Sequence, residues 1–360
     1  MRMCKSVSKL SLRLLAGVAF SLSSAFVLSA VSSQAQAQDA VAQFYRGKTI
    51  NMIVGSSAGG GYDLYARLIA RTIGKYIPGN PSLVVSNMPG AGSIVAAQYI
   101  YNVGPKDGTA IAAMFFGAVL EPLFGDRSKS KFDSTKLHFI GSANVESSIC
   151  IVRADTGVKT VADLQSREII VGASAGGGST TDFPALMRNV LGAKLKIVAG
   201  YPGSNEISLA LEKGEIQGAC GYGWSSLIAG RPQWLRDRFV NVVSQDGLRL
   251  EPKLKEMGVQ LTIDLAKTPE ERQIMELNYA PLEFGRPYIV APEVPADRVA
   301  ALRAAFSAAV KDPELLAEAA KINLDIEPLS GEEVQAIVDR LYKATPDIVE
   351  KAKRAIKANP

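Results

Sequence analysis

Two stretches of the chain are near copies of each other. They are Val54-Gly55-Ser56-Ser57-Ala58-Gly59-Gly60-Gly61-Tyr62-Asp63 and Val171-Gly172-Ala173-Ser174-Ala175-Gly176-Gly177-Gly178-Ser179-Thr180-Thr181-Asp182. The first follows the β-rich run Thr49-Ile50-Asn51-Met52-Ile53-Val54 and precedes Leu64, Leu68, Ile69 and Ile73 at helical spacing. The second follows Ile169-Ile170-Val171 and precedes Phe183, Leu186, Met187 and Val190. Each therefore reads as strand, glycine loop, helix. Glycines let several backbone N–H groups turn toward one point, and a helix start adds unpaired N–H groups at the positive end of its dipole. Both loops are thus candidate anion cradles, and their recurrence suggests one ligand held between two lobes. Neither fits the stricter nucleotide patterns: Tyr62 and Ser179 stand where a P-loop needs Lys, and Gly59 to Gly61 are consecutive rather than spaced as in a dinucleotide fingerprint.

The first 37 residues read as an export signal. Arg2, Lys5, Lys9 and Arg13 form a basic start, Leu14 to Val31 an apolar and small-residue core, and Ala35-Gln36-Ala37 a cleavage site. The mature chain is expected to begin near Gln38 in the periplasm. Without the signal the formal charge falls from +5 to +1. A near-neutral chain without long basic runs argues against nucleic acid or an anionic membrane surface as partner. Cys150 and Cys220 both sit in apolar strand-like runs, and a disulfide and two buried thiols both remain open.

About 320 mature residues suggest two domains. The pattern alternates as strand 49–55, helix 63–77, strand 82–87, helix 92–102 and strand 109–116, which implies a mostly parallel, doubly wound sheet. A loop from Glu121 to Lys136 interrupts it, and the long extended run Leu137 to Arg153 reads as a crossover into a second lobe. Alternation then restarts: helix 160–165, strand 168–173, helix 181–191, strand 194–199, helix 204–213 and strand 215–221. Strand 238–244, helix 269–280, strand 286–291 and helices 296–310, 313–321 and 331–344 complete the second lobe and return to the first. The expected division is a signal over 1–37, one lobe over 38–143 and 285–360, and the other over 144–284.

Little in the inventory supports catalysis. His138, the one histidine, lies in the apolar run Leu137-His138-Phe139-Ile140; no serine sits in a nucleophile elbow, and no His/Cys/Asp cluster has zinc spacing. No cofactor or metal is expected. A binding protein is the favoured class, and an exported enzyme acting on an organic acid between the lobes is the alternative.

Three segments, taken together, carry a family resemblance. The first cradle ending in Asp63, then Asn87-Met88-Pro89-Gly90-Ala91-Gly92-Ser93, then Pro105-Lys106-Asp107-Gly108-Thr109, resemble the periplasmic receptors of tripartite tricarboxylate transporters, the Bug or TctC-type family. The resemblance continues through Gly172 to Thr181, Tyr201-Pro202-Gly203, Leu211 to Ile216, and Ala291-Pro292, so it spans the mature chain. Two positions depart from it: Ser57-Ala58 where the family often has a proline, and Asp182 where it often has a histidine. The resemblance implies an α/β, two-lobed type II periplasmic-binding-protein fold with two crossovers and the ligand cleft between the lobes. It also implies a monomer that binds a small di- or tricarboxylate, amino acid or aromatic acid and passes it to membrane permease subunits.

Under that reading one carboxylate rests on the N–H groups of Ala58, Gly59, Gly60 and Gly61. A second polar end of the ligand rests on Gly177, Gly178, Ser179, Thr180 and Thr181, and the hydroxyls of Ser57, Ser174, Ser179 and Thr180 add donors. Asp63 and Asp182 either cap their helices or meet a donor on the ligand. Tyr201 and Gly203 offer a third wall or a plain turn, Phe116 ends a strand at the sheet edge, and Tyr222 can stack on a flat ligand. Gly90 to Ser93 either hold the packing together or meet a ligand oxygen.

Overall fold

The computed structural model describes residues 39–125, 131–174 and 178–357. The export segment and Gly177 lie outside the described residues. Two six-stranded sheets form, each flanked by helices. The first is built from β1 (Thr49–Val54), β2 (Ser82–Asn87), β3 (Ala110–Ala113), β4 (His138–Ser142), β11 (Pro287–Val290) and β12 (Leu329–Ser330). Their order is β12-β4-β11-β3-β1-β2. The second is built from β5 (Ser148–Arg153), β6 (Ile169–Ala173), β7 (Leu195–Ala199), β8 (Gly218–Gly223), β9 (Val240–Asp246) and β10 (Gln260–Leu261), in the order β10-β9-β5-β8-β6-β7. The helices that matter below are α1 (Gly61–Ile73), α2 (Ser179–Leu191), α3 (Ser204–Glu212), α4 (Pro269–Tyr279) and α5 (Pro346–Ala355).

The sheets are mixed, which corrects the mostly parallel expectation. β1 runs parallel to β2 and β3, and β6 parallel to β7 and β8, as helical crossovers require. However, β11 is antiparallel to β3 and β4, and β5 is antiparallel to β8 and β9. The cause is where the chain changes sheets. β4 ends at Ser142 and β5 starts at Ser148, which pairs with Gly223 and Asp246, the last residues of β8 and β9. On the return, Pro287 opens β11 opposite Ser142. Both crossings therefore run along the carboxyl edges of the strands, and a strand entered from that edge must run against its neighbours.

Several boundaries move for local reasons. The run 137–153 is two strands, one in each sheet, separated by the crossing 143–147. The strand expected over 109–116 stops at Ala113, where its pairing with β1 ends at Val54, and the chain turns into a 3-10 segment, Phe116–Leu120. The strand expected over 215–221 lies at Gly218–Gly223, because Gly214 at φ +75° closes a turn and Glu215 N–H donates back to Ala210 O. The last helix, α5, was not anticipated. It packs on α4 and α2, with Asn189 Nδ2 donating to Ala355 O at 2.8 Å.

In β1, Ile50, Met52 and Val54 face one apolar cluster with Tyr65, Leu68 and Phe306, while Ile53 faces another with Phe116, Phe139 and Phe284. This two-sided burial is what a sheet with helices on both faces demands. The second cluster continues between the two sheets: Phe116 stacks on Phe183 at 6.3 Å between ring centroids, and Phe183 meets Tyr279 edge-on at 4.9 Å. Full burial of each such ring stabilises by roughly 1.5–3 kcal/mol. Cys150 on β5 and Cys220 on β8, left open by the sequence, form a disulfide.

Candidate functional site

The carboxyl edges of the two sheets face each other around a cavity of about 40 Å³, roughly the room of three ordered waters. Ser56, Gly61, Tyr62, Phe115 and Phe116 line it from the first sheet. Ser148, Ser174, Ser179, Thr180, Gly203, Ser204, Ile207, Gly221, Tyr222, Gly223 and Ser226 line it from the second, and Glu146 and Arg286 from the crossings. Strand ends in open α/β sheets are where ligands bind, because helix starts and loops converge there.

The first glycine loop is organised by Asp63. This carboxylate, 2% exposed, accepts from Gly59 N–H, Arg67 Nε and Asn87 Nδ2, each at 2.9 Å. Burial works to raise its pKa, but the hydrogen bonds from Arg67, Gly59 and Asn87 outweigh that and hold it below the ordinary value. Asp63 thus serves as the chain's own anion at this loop, and it neither caps α1, whose N-cap is Gly60, nor lines the cavity. The cradle expected over Ala58 to Gly61 contracts accordingly. Ala58 and Gly59 are exposed, the Gly59 N–H is used by Asp63, and of these four residues Gly61 reaches the cavity. Ser57 does not line it either: its hydroxyl donates to Glu206 Oε2 at 2.8 Å, joining the first loop to α3. Gly60 has an extended backbone at φ −82°, and a Cβ there would stand 3.0 Å from Ser204 Oγ. A Cβ on Gly61 would overlap Ser226 Oγ, which would have to turn away.

The second loop closes through hydroxyls. Ser174 N–H donates to Thr180 Oγ1 at 2.9 Å, Thr180 Oγ1 donates to Ser174 Oγ at 3.0 Å, and Thr181 Oγ1 donates to Ser174 O at 3.1 Å. Ser179 Oγ donates to Gly221 O at 2.7 Å. Ser174, Ser179 and Thr180 line the cavity; Gly178, the N-cap of α2, and Thr181 do not. Asp182 lies one position beyond the first three residues of α2 and is no N-cap. Of the other expected residues, Gly203, Phe116 and Tyr222 line the cavity, and Tyr222 is a buried strand residue whose hydroxyl bonds Ser208 at 2.8 Å. Tyr201 instead faces an adjoining pocket of about 250 Å³ with Gly90 to Ser93.

The Gly90 to Ser93 turn binds the site together. Gly90, Ala91, Gly92 and Ser93 all have positive φ, at 145°, 46°, 61° and 75°. This left-handed turn aims Ser93 Oγ to donate to Gly55 O at 2.9 Å and to accept from Phe115 N–H at 3.0 Å, tying the ends of β1 and β3. Asn87, at the start of the same segment, donates to Ser56 O at 2.9 Å.

Sequence reasoning missed the charged residues of the cavity. Arg286 and Glu146 have side chains each 2% exposed and form an ion pair. Arg286 Nη2 also donates to Ser225 Oγ at 2.7 Å, and Ser225 Oγ donates to Glu146 Oε2 at 2.7 Å. The guanidinium sits 4.1 Å from the Tyr62 ring centroid. Burial pushes the Tyr62 phenol up to about 12, against the opposing pull of Arg286, and burial likewise raises Tyr222. Both phenols are therefore neutral donors at ordinary pH. The available signals were slight: the polar break Asn144-Val145-Glu146-Ser147-Ser148 inside an apolar run, and an arginine directly before the apolar return strand.

No family model matches the chain. It is 29% identical over 196 residues to a UPF0065 protein of Agrobacterium vitis, of which it spans about half (53%), and 26% identical over 348 residues to a UPF0065 protein of Cupriavidus necator, of which it covers 95% and which covers 93% of it. Among solved structures it is similar to the periplasmic binding protein BugD (TM-score 0.69, 18% identity, covering 86% of this chain and 98% of that one). It is also similar to a TctC solute-binding protein from Polaromonas (TM-score 0.57, 21% identity, 86% and 98%). A third is MatC from Rhodopseudomonas palustris with bound malate (TM-score 0.63, 18% identity, 84% and 99%). The chain has the two-lobed α/β fold of the Bug and TctC-type periplasmic binding proteins.

Proposed function

We propose that this chain is an exported solute receptor that binds a small carboxylate between its lobes and delivers it to a tripartite tricarboxylate-type permease. The observation that carries the reading is the cavity itself. Two helix starts, at Gly61 and at Ser179 and Thr180, point into it from opposite sheets, and serine hydroxyls, Tyr62, Tyr222 and one buried arginine surround it. Neutral backbone and hydroxyl donors suit reversible capture of an anion, each hydrogen bond to a charged oxygen contributing roughly 1.5–3 kcal/mol. Similarity to proteins described as periplasmic and solute-binding, one of them holding malate, supports the same reading. The binding residues proposed are Gly61, Tyr62, Ser174, Ser179, Thr180, Gly203 and Tyr222, with Gly177 carried over from the sequence reading.

Mass spectrometry of ligand carried through mild purification, followed by calorimetry on a panel of organic acids, tests this. Stoichiometric binding without product is expected, with a mature terminus near Gln38. Turnover of the bound acid would move the case to an enzyme, and a panel without any binder would end the carboxylate reading.

A further inference from the structure

We propose that the crossing side of the cavity is a second ligand subsite, in which Arg286 and Ser148 hold an uncharged oxygen of the ligand while its carboxylate rests on Ser174, Ser179 and Thr180 of the second loop. This rests on the receptor reading above and narrows its ligand class.

Two buried donors carry it. A guanidinium offers five N–H groups. In Arg286 the Nη2 group serves Ser225 and Glu146, and Nη1 donates to Gly285 O at 3.1 Å, but Nε is buried with no partner among the described residues. Ser148 Oγ is likewise buried, in a residue 1% exposed, and has no partner among the described residues. Both residues line the cavity. They are also neighbours: Ser148 pairs in register with Gly223, and a Cβ on Gly223 would lie 3.5 Å from Arg286 Nη2. A buried donor without an acceptor is costly, and one ligand oxygen can satisfy both groups.

Glu146 decides the charge of that oxygen. Its carboxylate already neutralises Arg286 and accepts from Ser225 Oγ and, at 3.3 Å, from Ser225 N–H. The charges of the side chains that line this end of the cavity therefore sum to zero. A second ligand carboxylate would bring two anions together in a site closed to water, which disfavours both ionised forms. A hydroxyl, carbonyl or amide oxygen accepts the same hydrogen bonds without that conflict. The preferred ligand is then a monoanion: one carboxylate at the second loop and a neutral oxygen beside Arg286.

The experiment uses matched probes, succinate with succinamate and adipate with adipamate, which differ only in replacing one carboxylate by a carboxamide. Calorimetry is run on the mature parent, Ser148→Ala and Glu146→Gln. The parent should prefer the amide of each binding pair. Ser148→Ala should weaken amide binding about five- to tenfold, the loss of one hydrogen bond. Its melting temperature without ligand should not fall, because the hydroxyl has no partner there to lose. Glu146→Gln, if it folds, should shift the preference toward the diacid. The subsite is overturned if Ser148→Ala binds the amide like the parent, or if the parent prefers the diacid. If the parent binds none of a broad acid panel, the receptor reading fails and the subsite falls with it.

Discussion

The contact between Ser57 and Glu206 makes lobe closure measurable. Ser57 belongs to the loop after β1 and Glu206 to the first turn of α3, so their 2.8 Å hydrogen bond joins the two lobes directly. A hydrogen bond to a carboxylate contributes roughly 1.5–3 kcal/mol net when well buried. Both residues are half-exposed, so solvent competes and about 1 kcal/mol is the reasonable figure. Neither lobe needs this bond for its own core. Its loss therefore appears in the closing equilibrium, and Ser57→Ala should raise the Kd of the identified acid about fivefold. Glu206→Gln keeps the shape and an acceptor oxygen but loses the charge, so a two- to threefold rise is expected, from about half the energy. The double variant Ser57→Ala/Glu206→Gln should be no worse than Ser57→Ala alone, because the two changes remove one shared interaction. Calorimetry gives the affinities, and small-angle scattering with and without acid follows closure. The reasoning is refuted if Ser57→Ala melts like the parent and binds within twofold of it, or if the two changes add.

Three further outcomes follow from particular residues. Gly221 lines the cavity at φ +71°, and a Cβ there would overlap the Ser179 carbonyl, so Gly221→Ala should destabilise by about 1–3 kcal/mol in denaturant melts. Burial raises the Asp246 pKa to about 6 against an unfolded value near 3.9. The folded state then binds more protons between those values, so stability should fall by about 2 kcal/mol as pH rises from 4 to 6, a slope that Asp246→Asn removes while Tyr279 keeps an acceptor. The Cys150–Cys220 disulfide closes a loop of 70 residues, so replacing both by alanine should cost about 4 kcal/mol by chain entropy, read from denaturant midpoints.

Much of the α/β pattern was legible because strands and helices advertise themselves by period, and the two glycine loops by their repetition. What escaped was set by topology. The direction of β5 and β11 depends on which edge of the sheet the crossing uses, and nothing within either run reports that. Glu146 and Arg286 stand 140 positions apart, and each alone reads as an ordinary charged residue near a loop; only the two crossings bring them together. The hydroxyl of Ser57 sits in the right loop but points at Glu206, because side-chain direction follows from the local backbone rather than from the motif. The role of Asp63 was half visible. Arg67 lies four residues on, the spacing of a helical ion pair, but the link to Gly59 needed the loop to be folded back.

The crossings constrain how the lobes can move. Ala143 N–H donates to Arg286 O at 3.1 Å, Gly285 N–H to Asn144 O at 2.9 Å, and Glu146 N–H to Leu282 O at 2.9 Å, so the two segments are bonded side by side. A Cβ on Gly285 would overlap Glu146, which shows how closely the backbones approach. The Glu146–Arg286 pair ties the same segments through their side chains. Separating the two sheets must bend this doubled band, and the band turns as a unit because its internal bonds do not span the gap between the sheets. A buried ion pair placed there stays paired while the glycine loops move apart, whereas the Ser57–Glu206 bond, from the first loop to α3, must break. The fixed charges of the site thus lie where motion is least, and the contact that must be broken and remade lies where it is greatest. An ion pair in that place would lose and regain its hydration with every cycle, a cost of several kcal/mol per ion that this arrangement avoids.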